Sequence, residues 1–376
     1  MNRTRTLLLA LSLGLAALVA NAASLTLPRD SQASSVSRMI GLVKVTVNYS
    51  SPRVHAPNGE DRHGKVWGKL VPYGMTNLGF GTCKDCPWRA GANENTVITV
   101  SHDIDVEGQK LAAGSYGLHM IPAENEFTVI FSKNAAAWGS FFYDPADDVL
   151  RVKVKPMKSD YQEALSYDFT DSTQDQATLA LRWEELQIPI RIAVHDGDAL
   201  YMAALRNELR AEPGFQWENW VQASQYALKH KHNDEALAWA QASIRRQFIG
   251  KENFQTLNAL ADAQEAAGKV GEAKASREKA INHVTAGPIE IHQYARQLQA
   301  MKQTAEAIKV FKYNAERNGD AWPVHVGLMR AYAAEGDLKQ ALEHAKKAYG
   351  QAPDDLNKKN LEAMVKSLEE GKNISQ

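Results

Sequence analysis

Only two cysteines occur in 376 residues, Cys83 and Cys86, and that scarcity excludes a disulfide-built scaffold. Charge of neither sign is in excess: 43 Lys and Arg stand against 44 Asp and Glu, a formal net charge of -1. The basic field that nucleic-acid binding requires is therefore missing. No apolar run after residue 22 is long enough to cross a bilayer. The sequence also lacks a G-x-S-x-G, an H-E-x-x-H and a Gly-rich phosphate loop, so the reading leans away from an enzyme and calls for no cofactor.

The first segment of what is there reads as a signal peptide, residues 1–22. Arg3 and Arg5 precede an apolar stretch over residues 7–19, and Ala20-Asn21-Ala22 supplies an A-x-A cleavage site. The expectation is a bacterial periplasmic or secreted protein whose mature chain begins near Ala23. Residues 23–37 are Ser-rich without a steady period and read as a flexible leader.

From residue 38 the pattern has a period of two. Val43, Val45, Val47 and Tyr49 alternate with polar residues, and alternation returns over residues 149–155, 165–169, 177–183 and 186–194. Shorter β-rich runs lie at 96–100, 115–121 and 127–131. About eight strands with Gly, Pro and Asn/Asp punctuation predict an all-β antiparallel sandwich over residues 38–196. Pro189 marks its strand as an edge or a bulge. Asp103-Ile-Asp-Val-Glu-Gly108 lacks the acid and the flanking helices of a calcium loop, and reads as a strand turning at Glu107-Gly108. One long aperiodic stretch, residues 51–91, interrupts the strands; such inserts are functional or cross-linked.

Near Asp198 the period becomes 3.6. A linker helix is expected over residues 197–214, with Leu200, Ala203, Ala204 and Leu205 inward. Beyond it Ala236, Ala273, Ala307 and Ala341 recur at spacings of 37, 34 and 34, with Trp220, Leu257 and Ile291 sixteen before and Ser243, Ala280, Asn314 and Ala348 seven after. This resembles the tetratricopeptide repeat, a helix-turn-helix unit of about 34 residues. The fold class is thus α+β as two separate domains, a sandwich followed by an all-α array: four repeats over residues 215–353, then a capping helix and tail over 354–376. The resemblance implies a surface for a protein or peptide partner, with Asn219, Gln222, Asn258, His292, His325 and Arg330 as groove candidates.

A second resemblance lies in the sandwich. Leu70-Val-Pro-Tyr-Gly74, Trp88-Arg-Ala-Gly-Ala-Asn-Glu94, Ala113-Gly-Ser-Tyr116, Trp138-Gly139 and Tyr143-Asp144 resemble an exported bacterial family known as domain of unknown function 2911. That likeness implies a fold and an exported setting, and no substrate. Residues 75–87, with both cysteines, are an insert relative to the family pattern.

Three chemistries compete at Cys83 and Cys86: a local disulfide, a thioredoxin-like redox pair, or two thiolates of a zinc site completed by His55 and His63 or by His102 and His119. Trp88, Arg89, Asn93, Glu94 and His119 are the ligand-binding candidates of the sandwich, for a small molecule, glycan or extended ligand. The competing account is a tight turn with Arg89 paired to Glu94. Trp88, Trp138 and Trp183 read as core or as sugar platforms. The function expected is an exported, non-enzymatic binding scaffold. The alternatives are a metal-dependent or acid/base hydrolase centred on residues 51–94 and a sandwich that only stabilises the array.

Overall fold

The computed structural model describes residues 28–374; the expected signal peptide and residues 23–27 lie outside them. The chain divides into two compact units, the boundary falling between Gly197 and Asp198.

The first unit holds two antiparallel sheets. One has six strands in the order β1 (Gln32–Ile40), β2 (Val43–Ser51), β3 (Thr96–Val100), β6 (Gly114–Ile121), β7 (Phe127–Ser132) and β8 (Asp148–Val154). The other runs β5 (Gln109–Leu111), β4 (Ile104–Val106), β10 (Gln176–Val194) and β9 (Met157–Thr170). Alternation has the expected effect: Val43, Val45 and Val47 are fully buried in β2, while Tyr49 packs edge-on against Tyr167 at 4.9 Å.

The flexible leader is corrected over residues 32–37, which form most of β1. This is an edge strand with little buried surface, so it carries no hydrophobic alternation; its register comes from backbone pairing, with Val36 opposite Val47 and a turn at Gly41. The two runs at 177–183 and 186–194 are one strand, β10. A bulge at Glu184, with φ +56°, breaks its phase. Pro189 falls where pairing with β9 has ended at Gln187 and pairing with β4 has not begun, so its missing N–H costs no ladder bond. Glu107 and Gly108, both at positive φ, make the tight turn between β4 and β5.

The second unit begins with α1 (Gly197–Glu208), followed by four helical hairpins: α2 (Trp217–Lys229) with α3 (Asn233–Arg245), α4 (Phe254–Ala266) with α5 (Val270–Asn282), α6 (Pro288–Ala300) with α7 (Thr304–Asn318), and α8 (Trp322–Glu335) with α9 (Leu338–Gly350). Helix α10 (Asp355–Glu369) packs on α9. Ala236, Ala273, Ala307 and Ala341 are all buried, as are Ser243, Ala280, Asn314 and Ala348, which lets the two helices of each hairpin approach closely. Each hairpin turns through one left-handed residue, Lys231, Gly268, Lys302 and Gly336, and these repeat the spacings of the buried alanines.

Helix α1 is no linker. Met202 is fully buried and Leu209 nearly so, in one cluster with Trp220, Ala227 and Trp239, whereas Ala203, expected inward, faces solvent. Leu205 packs beside that cluster, so the buried stripe follows Met202, Leu205 and Leu209.

Candidate functional site

The long stretch after β2 lacks regular strands, yet isolated bridges pin it down: Arg53 to Ala164, His55 to Asp61, Thr76 to Cys86 and Trp88 to Met120. Trp88 exchanges two 2.7 Å backbone bonds with Met120. Its ring lies 6.3 Å from Trp183 in a stacked pair, with Trp67 edge-on to both. Trp88 and Trp183 therefore belong to the aromatic core, and Trp138 does not, being 56% exposed.

Cys83 and Cys86 pair at disulfide distance, with Cα atoms 5.6 Å apart, and are buried with Ile130 and Tyr143. The bonded pair fastens the insert, because the Cys83 N–H donates to the Phe141 carbonyl at 3.0 Å and Thr76 and Cys86 exchange backbone bonds. The histidines of the zinc alternative are engaged elsewhere. His55 Nδ1 lies 2.9 Å from Glu163, and His63 packs edge-on to Tyr161. Among the described residues no group of three or more His, Cys, Asp or Glu stands at metal-holding separation.

Arg89, Asn93 and Glu94 do not converge. The Arg89 guanidinium donates to the Asn93 carbonyl at 2.6 Å, lies 4.9 Å from the centre of the Phe141 ring, and packs where any side chain on Gly139 would stand. Burial lowers its pKa. It holds the turn that carries Ala90 and Asn93 at positive φ. Glu94 points to another partner, accepting from Arg29 at 2.7 Å and Ser50 at 3.1 Å, so the expected Arg89–Glu94 pair is corrected to Arg29–Glu94. The intervening turn turns consecutive side chains apart. Glu94 lines an open cleft of about 410 Å³ with Arg29, Ser34, Asn48, Tyr49 and Asn95.

His119 does join Arg89. It is buried in β6 with Nδ1 2.9 Å from Ser140 Oγ, and burial together with the Arg89 charge pushes its pKa down to about 4. Gly117 leaves room for Asn95 beside it, and Asn95 Oδ1 is buried without a hydrogen-bond partner. Sequence reasoning missed Asn95, and it missed the exposed rings of Phe80 and Phe142 beside Phe141. No spacing announces that rim, because residues 80 and 142 meet only through the stapled insert.

In the array, the first helices of the hairpins place equivalent residues in rows. Asn258 and His292 are 34 apart and share one row with Val326; Asp262, Arg296 and Arg330 share the next, again 34 apart. Asn219 and Gln222 fall outside those rows. They line a cleft of about 460 Å³ between α1 and α2, where Asn219 donates to the Pro213 carbonyl at 2.8 Å. His325 is not a groove residue. It is 4% exposed, in the core position of Trp220, Leu257 and Ile291, and bonds Asp320 and His344. Asn258 is held near Arg277, while His292 and Arg330 lie close enough for the Arg330 charge to act on the imidazole. Arg296 was missed, although its spacing from Arg330 is the repeat length.

The family-model comparison covers only the first unit: residues 31–192 match a family described as a protein of unknown function (DUF2911). This shows the resemblance first read from Trp88 to Glu94. No curated protein matches the chain. Solved structures resembling the second unit include YrrB, a TPR protein with an unusual peptide-binding site, at 17% identity over 43% of this chain and 81% of its own, TM-score 0.30. The C-terminal part of a TPR repeat-containing protein from Cytophaga hutchinsonii shares 12% identity over 46% and 67%, TM-score 0.35. A thermophilic TPR protein in Thermus thermophilus shares 18% over 44% and 88%, TM-score 0.31. The second unit is a tetratricopeptide-like array by its own register and cores.

Proposed function

We propose that this is an exported binding scaffold whose helical array docks an extended segment of a protein partner. The observation that carries the reading is the row structure of the first helices. Their small-residue faces are consumed in hairpin packing, while Asn258, Asp262, His292, Arg296 and Arg330 recur at repeat spacing outside those buried positions. Export rests on the first 22 residues, and a cross-linked Cys83–Cys86 pair suits an oxidising compartment. The sandwich contributes the adjoining rings of Phe80 and Phe142, each more than half exposed, as a second contact surface.

The test places a photo-crosslinking residue at Asn258 or Arg296 in the full chain, in the native cell, with the exposed Lys274 of α5 as control. A discrete adduct from the two row positions and none from Lys274 is the expected result. Equal labelling at all three, or none at any, overturns the docking reading. Fractionation that leaves the full-length, uncleaved chain in the cytoplasm overturns export.

A further inference from the structure

Three consecutive repeats carry a charge at the same place, Asp262, Arg296 and Arg330, but only the first is neutralised. Arg277 of α5 reaches Asp262 at 2.7 Å and also bonds Glu265, and its own side chain is 8% exposed. Neither Arg296 nor Arg330 has a carboxylate within ion-pair distance among the described residues. Two buried polar atoms stand unsatisfied here, Arg330 Nε and Nδ1 of His292, whose imidazole both arginine charges reach. His292 Nδ1 is pressed toward Gly327 of α8, where an added Cβ would stand 3.3 Å from it. Burial and the Arg296 charge lower Arg330 to about 10, and burial with both arginines lowers His292 to about 4. A partly desolvated guanidinium facing a second cation is unfavourable in the free protein, and an anion reverses that sign.

We propose that Arg296 and Arg330 form an acid-reading subsite of the docking face, which takes carboxylates from an acidic segment of the partner. This deepens, and rests on, the docking reading above. Charge complementarity selects the occupant. Arg296 is exposed on α6 and Arg330 lies half-buried on α8, neither paired to a carboxylate, whereas the Asp262–Glu265–Arg277 group on the preceding hairpin is already closed and repels further acid. An acidic stretch is therefore placed over the third and fourth repeats, which fixes its register along the array.

The probe is an N-acetyl tetraglutamate amide, compared with its tetraglutamine counterpart, titrated into the full mature chain while the arginine Nε–H resonances are followed. Saturable shifts of Arg296 and Arg330 with the acidic peptide, at least tenfold weaker with the neutral one, are expected. Arg296→Gln and Arg330→Gln should each weaken the acidic peptide about tenfold. Arg330→Met should abolish its preference while keeping the helical circular-dichroism signal and raising the array's Tm, since it removes an unpaired charge. A merely structural arginine would lower the Tm instead. Equal response to the two peptides, full binding by the double Arg296→Gln, Arg330→Gln variant, or a lower Tm for Arg330→Met overturns the inference. If the photo-adduct from Asn258 persists in the double variant, docking stands and the acid subsite falls; loss of the adduct in that variant, with its fold intact, supports both.

Discussion

The imidazoles of His325 on α8 and His344 on α9 face each other with their Nδ1 atoms 3.0 Å apart. A hydrogen bond at that distance requires one nitrogen to donate and the other to remain unprotonated. Asp320 holds the far side of His325 at 2.5 Å, and Tyr332 stacks on His344, with Lys347 and Glu343 nearby. Burial, then the His325 charge, lowers His344, and His292 in the same unit is held at about 4. A base with a folded-state pKa below its unfolded value favours the fold above the unfolded pKa, near 6.5, and that advantage is lost as pH falls. The array should therefore lose stability from pH 6.5 downward, with His292 alone contributing about 3 kcal/mol by pH 4. Thermal melts across pH 7.5 to 4 check this, and His344→Gln should flatten the slope. A Tm constant over that range would refute the account.

Arg89 and Gly139 should show strong coupling. Gly139 sits at φ +62°, and a Cβ there would overlap the guanidinium. Gly139→Ala is expected to destabilise the sandwich by about 1–3 kcal/mol. Part of that cost is the clash, so in an Arg89→Ala background the same change should cost less. A double-mutant cycle in urea measures the difference; additive effects would show that the positive φ alone sets the penalty.

How much of this was legible depended on what each segment buries. Val43, Val45 and Val47 announce β2 because one face is core and the other water. β1 is invisible to the same reasoning because Ser34 and Ser35 are held by backbone pairing at an edge and bury no apolar side chain. The repeats were legible from four alanines, and the longer first spacing corresponds to the loop around Phe248, which is 98% exposed. His325 was misread as a groove residue although its offset from Ala341 equals that of Trp220 from Ala236; polarity outweighed register. The split of Arg89 from Glu94 was not legible, because it depends on Ala90 and Asn93 adopting positive φ without glycine.

The Cys83–Cys86 bond closes a very short loop, so loop-closure entropy gives it about 2 kcal/mol. Its effect should be confined to the sandwich, where it fixes the insert under Phe141. Calorimetry with and without a phosphine reductant should show a lower sandwich transition and an unmoved array transition. A mass increase of two hydrogens confirms the reduction. A shift of both transitions together would mean that the two units unfold as one.

Arg317 of α7 bridges the second and third repeats. Its Nη1 donates to the Ile281 carbonyl at 2.7 Å and its Nη2 to the His283 carbonyl at 2.6 Å, capping the end of α5. Tyr313 adds a 2.7 Å bond to Asn282 at the same junction. Carbonyls at a helix C-terminus attract cations, and charged hydrogen bonds of this kind contribute about 1.5–3 kcal/mol. A repeat array unfolds as one only while its interfaces outweigh the differences between its units. Arg317→Ala should therefore do more than lower the Tm. It should separate α6–α10 from α2–α5, giving two resolved steps in urea and limited proteolysis within residues 283–288. Arg317→Lys, which keeps the charge but not the fork, should fall between the two. A single sharp transition in Arg317→Ala, shifted by less than about 0.5 kcal/mol, would mean that the apolar cluster of Ile281, Ala286 and Ile291 holds this junction without it.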